Sequence, residues 1–239
     1  MSIDVFCAFF LWFGVLLRGL SQKRNLFCLP GQKRFHYCLR QYCMIQSRQQ
    51  IKTKREIEMY YLETVPLKNG LICELRNAEG KDAAAFLAYF TQCHGETDYL
   101  TTYPDETEQD LGKVAERLQA RAESASDIEI LALVDGKVVG SAGIGKLRDR
   151  DKLRHRAEFG ISILKEYWRL GIGNALTKAC IDCAKLAGFL QLELEVVAEN
   201  SGAVRMYEKH GFIEYGRNPM GFRNRAGAWQ ELVLMRLEL

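Results

Sequence analysis

Gly171-Ile172-Gly173 stands immediately before a helix-period run that ends near Gly188 (GIGNALTKACIDCAKLAG). Glycine is a poor helix former, so two of them at a helix start point to a backbone that something approaches closely. The first amides of a helix have no partner within it and sit at the positive end of its dipole. The turn therefore reads as an anion cradle, most often one for phosphate. Spacing excludes two common phosphate folds. The dinucleotide fingerprint G-x-G-x-x-G fails because Leu176 stands in place of the third glycine, and the P-loop fails because no Gly-Lys-Ser/Thr is present.

Other reactive residue types give weaker patterns. Cys180 and Cys183 form a C-x-x-C, but inside a helix-period segment and without the second pair that a metal ribbon needs. They and Cys73 and Cys93 read as small buried apolar residues of a reduced, cytosolic domain. His94, His155 and His210 are dispersed without ligand spacing, so no metal is expected.

The elements that must position the glycine turn follow from period and punctuation. LICELRNA alternates as a strand, GKDAAAFLAYFTQC has helical spacing, and a loop through Pro104 leads to a second helix with Leu111, Val114 and Leu118 on one face. Asp135-Gly136 joins two strands as a tight hairpin. A basic turn, Lys146 to Arg156, leads into the strand AEFGISILKEYW, which runs directly into the glycines. This turn reads as a solvated hairpin tip or as a surface for an acidic acceptor. After the long helix come the strand LQLELEVVAEN, the short helix SGAVRMYEKHGF and two strands around Gly227. That order describes a mixed α/β sheet and not a doubly wound one.

Charge divides the chain. Residues 1–58 hold ten Lys/Arg against three Asp/Glu, whereas the whole chain has a net charge of only +3, so the remainder is acidic. The apolar run Val5 to Leu17 is too short to span a bilayer, which takes about 20 residues, and it lacks a basic leader. Residues 1–58 are expected to be a disordered leader or sequence upstream of a true start at Met59, and residues 59–239 a single domain. The acidic domain argues against nucleic acid as a partner, and no membrane is expected.

Three segments together resemble the GNAT superfamily of N-acetyltransferases: ISILKEYWRLGIGNAL, LELEVVAENSGAVRMYEKHGF and GFRNRAGAWQELVLMRLEL. The first matches a strand followed by [QR]-x-x-G-x-[GA] and a helix, with Trp168 in the position usually held by Gln or Arg. The second matches N-x-x-A-x-x-x-Y through Asn200, Ala203 and Tyr207. The resemblance covers about Leu71 to Leu239. It implies a mostly antiparallel mixed sheet flanked by about four helices, with strands splayed at the cofactor site.

It also implies roles. Backbone amides of Leu170, Gly171, Ile172, Gly173 and Asn174 would hold the pyrophosphate of acetyl-CoA, the co-substrate, with the two glycines clearing its path. Arg169 would add a phosphate contact or be a solvated surface arginine. The strand around Ile161, Ile163 and Leu164 would bond the pantetheine arm, and the amide of Ile163 or a neighbour would polarise the thioester carbonyl. Asn200 would bind pantetheine or cap its helix. Tyr207 would protonate the departing thiolate, or else simply pack. Glu195, Glu158 or a water chain would deprotonate the acceptor. The acceptor implied is a primary amine, either a small molecule or a protein N-terminus, attacked directly in a ternary complex. The alternative is a non-catalytic acyl-CoA-binding module. A homodimer is a common outcome for such folds.

Overall fold

The computed structural model describes residues 59–239. The leader expected over residues 1–58 lies outside the described residues. The strands are β1 (Leu62–Pro66), β2 (Ile72–Asn77), β3 (Ile128–Val134), β4 (Lys137–Lys146), β5 (Arg156–Ile163), β6 (Gln191–Val197), β7 (Ile213–Arg223) and β8 (Trp229–Glu238). The helices are α1 (Ala83–Gly95), α2 (Leu111–Ala122), α3 (Ile172–Leu186) and α4 (Ser201–Lys209). The strands form one sheet in the order β1-β2-β3-β4-β5-β6-β8-β7. Every neighbouring pair is antiparallel except β5 with β6, which is parallel.

Local chemistry explains the elements. Asp135 and Gly136 both have positive φ, 50° and 76°, the geometry of a two-residue hairpin turn. Asp110 caps α2 by accepting from the amides of Gly112 and Lys113. Val114 and Leu118 are buried as expected, whereas Leu111, on the same face at the first position of the helix, is exposed. Along α3, Ile172, Leu176, Ala179, Cys180 and Cys183 form a continuous buried stripe. The strand β1 was not expected. Its pattern is almost wholly exposed and ends in a proline, so it carries no alternation to read.

The helices divide between the two faces of the sheet. The Tyr89 hydroxyl in α1 meets the Ser162 hydroxyl at 2.6 Å. A Cβ on Gly173 in α3 would lie 3.5 Å from the Ile163 side chain. Ser162 and Ile163 are neighbours in β5 and so point to opposite faces. Thus α1 and α2 cover one face, while α3 and α4 cover the other. The apolar core runs along the central strands, of which β3, β4 and β6 are the most deeply buried.

Candidate functional site

The parallel pair is short. β5 and β6 meet only at Arg156–Gln191, Ala157–Leu192 and Glu158–Glu193, and then separate. What this leaves open follows from hydrogen-bond parity. The Leu164 N–H donates to the Val139 carbonyl at 2.9 Å, and the Leu147 N–H donates to the Arg156 carbonyl at 3.3 Å. In an antiparallel ladder alternate residues bond to the same neighbour, so the even-numbered residues of β5 bond to β4. Ile161 and Ile163 therefore aim their main-chain groups toward β6, beyond the last β5–β6 pair. This is a strand edge in the middle of a sheet, with donors and acceptors at the spacing an extended ligand needs. Leu164, expected to share in this edge, does not. Its N–H is spent on Val139, its carbonyl accepts from Tyr167 at 2.9 Å, and its side chain is fully buried.

Trp168 completes the edge. Its indole Nε1–H donates to the Ile163 carbonyl at 2.7 Å. That leaves the Ile163 N–H as the group directed into the opening. The aromatic residue in place of Gln or Arg thus has a definite task in this chain: it caps a carbonyl that β6 does not reach.

The glycine turn follows. Arg169 has φ +64° and Gly171 φ +111°, two left-handed residues within three positions, which reverse the chain and point successive amides outward. The Leu170 carbonyl accepts from the Lys68 N–H in the β1–β2 turn at 3.1 Å, anchoring the loop from outside. Gly171 is the N-cap of α3 and offers no side chain to the amides of Ile172, Gly173 and Asn174. A Cβ on Gly171 would meet nothing within 4 Å, so glycine is needed there for its φ. A Cβ on Gly173 would lie 2.9 Å from the Met206 sulfur, so its absence also lets α4 approach α3 closely. Asn174 Oδ1 lies 3.3 Å from His210 Nε2, a second tie between α3 and α4.

Tyr207 sits in α4 and is buried, packed edge-on against Phe159 of β5 with ring centroids 6.1 Å apart, and against Phe212 at 5.8 Å. Among the described residues nothing hydrogen-bonds its hydroxyl, and burial alone pushes the phenol pKa well above its usual value. At neutral pH the group is a protonated donor without a protein acceptor. Asn200 is the N-cap of α4, its Oδ1 accepting from the Ala203 N–H at 3.3 Å. That same N–H also approaches the Asn200 carbonyl at 3.0 Å. Ala203, expected among the cofactor contacts, has therefore already used its donor.

On the α1–α2 face lies a cavity of about 470 Å³, bounded by Glu158, Gly160 and Ser162 of β5, Ser141 of β4, Glu129 of β3 and His94 of α1. Its wall is polar by construction. Glu129 accepts from Arg121 at 2.7 Å and from the Ser141 hydroxyl. Of the two carboxylates expected as base candidates, Glu158 lines this cavity. Glu195 is exposed on β6 beyond the splay and is not on the wall. The neighbouring Glu193, which sequence reasoning passed over, is buried. It accepts from Arg156 at 2.6 Å, and that guanidinium holds its carboxyl below the usual range. Glu158 and Tyr207 approach β5 from opposite faces, since Glu158 adjoins Phe159 in sequence and Tyr207 packs on the Phe159 ring.

A parallel strand pair that parts beside a left-handed turn, with a helix start on one side and a cavity on the other, defines a class of α/β fold that receives an extended, anionic ligand. Residues 87–212 match the model of the acetyltransferase (GNAT) family, and the chain belongs to that family. Among solved structures, the acetyltransferase of GNAT family from Streptococcus pneumoniae is 31% identical with a TM-score of 0.67, over 70% of this chain and 99% of that one. A putative acetyltransferase from Salmonella typhimurium, solved with its cofactor acetyl-CoA, shares the fold at 22% identity and a TM-score of 0.63, over 70% and 94%. The L-amino acid N-acetyltransferase AaaT of Escherichia coli is 32% identical over 85 residues, 35% of this chain and 52% of its own. The chain spans about half the length, or less, of the curated relatives it matches first.

Proposed function

We propose that this protein is an acetyl-CoA-dependent N-acetyltransferase in which a primary amine attacks the thioester directly. One observation carries the reading: the unpaired edge at Ile161 and Ile163 runs straight into the left-handed turn that opens α3. The amides of Ile172, Gly173 and Asn174 would hold the pyrophosphate. The Ile161–Ile163 edge would bond the pantetheine arm as a neighbouring strand does. The Ile163 N–H, its own carbonyl capped by Trp168, would donate to the thioester oxygen as negative charge develops there.

The acceptor would enter through the cavity on the α1–α2 face, where Glu158 attracts an ammonium. Tyr207, reaching the splay from the opposite face, would protonate the departing thiolate. Its raised pKa opposes that step, but a thiolate in the same apolar surroundings is also a stronger base than in water. The buried cysteines take no part. The thiols of Cys73, Cys93 and Cys183 are pushed up to about 11 by burial, and Cys180 is wholly enclosed.

The test is thiol release from acetyl-CoA with a panel of amino acids, spermidine and an alanine-initiated peptide, together with intact-protein mass after mixing with acetyl-CoA alone. Release that requires an amine, with no acetylated protein, is expected. An acetyl-protein intermediate would refute direct attack. Tight acetyl-CoA binding with no release by any amine would make the protein an acyl-CoA-binding module.

A further inference from the structure

The cavity wall carries a ring that the proposed reaction leaves unused. His94 lies in the last turn of α1, only 6% exposed, and it packs against Phe90 with ring centroids 3.9 Å apart and planes tilted by 37°. Its Nδ1 is 2.8 Å from the Phe90 carbonyl oxygen. A carbonyl can only accept, so Nδ1 carries the proton and Nε2 keeps a lone pair. Among the described residues nothing hydrogen-bonds Nε2. Nor is the atom sealed off, since the buried side-chain atoms left without a partner there are Thr177 Oγ1 and Arg236 Nε. Nε2 therefore keeps solvent access, and His94 is one of the residues that line the cavity.

Burial pulls the His94 pKa below its usual value, and the bond to Phe90 opposes this only in part, so the ring is neutral at neutral pH. The charged groups on the same wall are Arg121, Glu129, Lys146 and Glu158. Arg121 and Glu129 are paired with each other at 2.7 Å, which largely cancels their field at the ring. The remaining two, Lys146 and Glu158, are of opposite sign.

We propose that His94 Nε2 takes the proton that the acceptor ammonium must lose before it attacks, while Glu158 holds that ammonium in the cavity. The proposal rests on the acetyl-transfer reading. Two protons must leave the ammonium nitrogen on its way to the amide. His94 accepts the first and returns it to solvent. The nitrogen lone pair then forms the C–N bond, and the C–S bond breaks. The sulfur takes a proton from Tyr207, which the second nitrogen proton replaces. Free energy favours imidazole over carboxylate for the first step. An α-ammonium has a pKa of about 8, and free imidazole at about 6.5 is a closer match than free carboxylate at about 4, a margin that the burial of His94 narrows.

The test compares His94→Gln and Glu158→Gln with the wild type, using the best amine of the panel above. Wild-type kcat/KM should fall on acidification with an apparent pKa at or below the usual histidine value. His94→Gln should lose that limb and about 100-fold or more in kcat, with acetyl-CoA affinity held and Tm lowered only by the lost packing of the ring on Phe90. Glu158→Gln should chiefly raise KM and keep the limb. Nitrogen NMR of the His94 ring should show the Nδ1–H tautomer titrating below free imidazole. A limb that survives His94→Gln, or disappears in Glu158→Gln, overturns the proposal, as does an Nε2–H tautomer. Absence of turnover in the wild type with acetyl-CoA still bound is a different outcome, which removes the acetyl-transfer reading itself and this role with it.

Discussion

Replacing Gly171 by alanine isolates the backbone geometry of the turn. The added Cβ meets no protein atom within 4 Å, so no steric cost enters the folded chain itself. The cost is conformational. At φ +111° and ψ −13° an L-residue lies outside its favoured wells, a penalty of about 1–2 kcal/mol. That penalty must appear in one of two places. If the turn keeps its native form, the strain sits in the folded chain, and Tm falls by about 2–8 °C for a domain of this size while acetyl-CoA affinity holds. If the turn relaxes, Tm holds and the ligand must rebuild it, which raises Kd by about 5- to 30-fold. Differential scanning calorimetry and titration calorimetry on one preparation measure both. Gly171→Asn should show a smaller loss of the same kind, because asparagine tolerates left-handed backbone. A Gly171→Ala protein with unchanged Tm and unchanged Kd would refute the claim that ligand binding uses this turn in this conformation.

Other outcomes follow from the same geometry. Tyr207→Phe removes a hydroxyl that bonds nothing in the described chain, so Tm should move by less than about 2 °C while kcat falls about 100-fold; equal losses of kcat and stability would make the residue structural. Arg156→Ala leaves the buried Glu193 carboxylate without its partner and should cost about 1–3 kcal/mol near neutrality, discounted for the partly exposed arginine. Because the folded pKa of Glu193 is depressed, that stabilisation is present above the unfolded carboxylate value near 4.3 and is lost as pH falls through the folded one. The Tm gap between wild type and Arg156→Ala should accordingly be widest above about pH 5 and narrow toward pH 3; a gap independent of pH would show that packing and not charge is lost. Cys73, Cys93, Cys180 and Cys183 should resist alkylation at pH 8 until the domain unfolds, as mapped by mass spectrometry.

The glycine turn, the hairpin at Asp135-Gly136 and the long helix were legible because each is written locally, in residue types that only certain backbone angles accept. Asn200 was legible as a cap for the same reason. What remained hidden depends on partners distant in sequence. The parting of β5 from β6 was expected only from the family resemblance, because no residue marks where a parallel pair stops. Parity then decides that Ile163 faces the opening and Leu164 does not, although the two look equally apolar in the sequence. The closeness of Gly173 to Met206 of α4 likewise has no mark in the sequence. Glu195 and Glu158 were indistinguishable by alternation, and only the cavity separates them. His94 had no motif to announce it. The one available signal was its place at the end of an apolar helix just before a polar loop, and that also describes many helix ends.

The central claim is that an acyl carrier lies along the unpaired edge of β5 with its diphosphate on the start of α3. Residue-resolved amide hydrogen exchange, with and without saturating acetyl-CoA, tests it most directly. Exchange should slow at Ile161, Ile163, Ile172, Gly173 and Asn174, while Leu164, already bonded to Val139, should change little. Unaltered exchange at Ile161 and Ile163 in a protein that demonstrably binds acetyl-CoA would contradict the account.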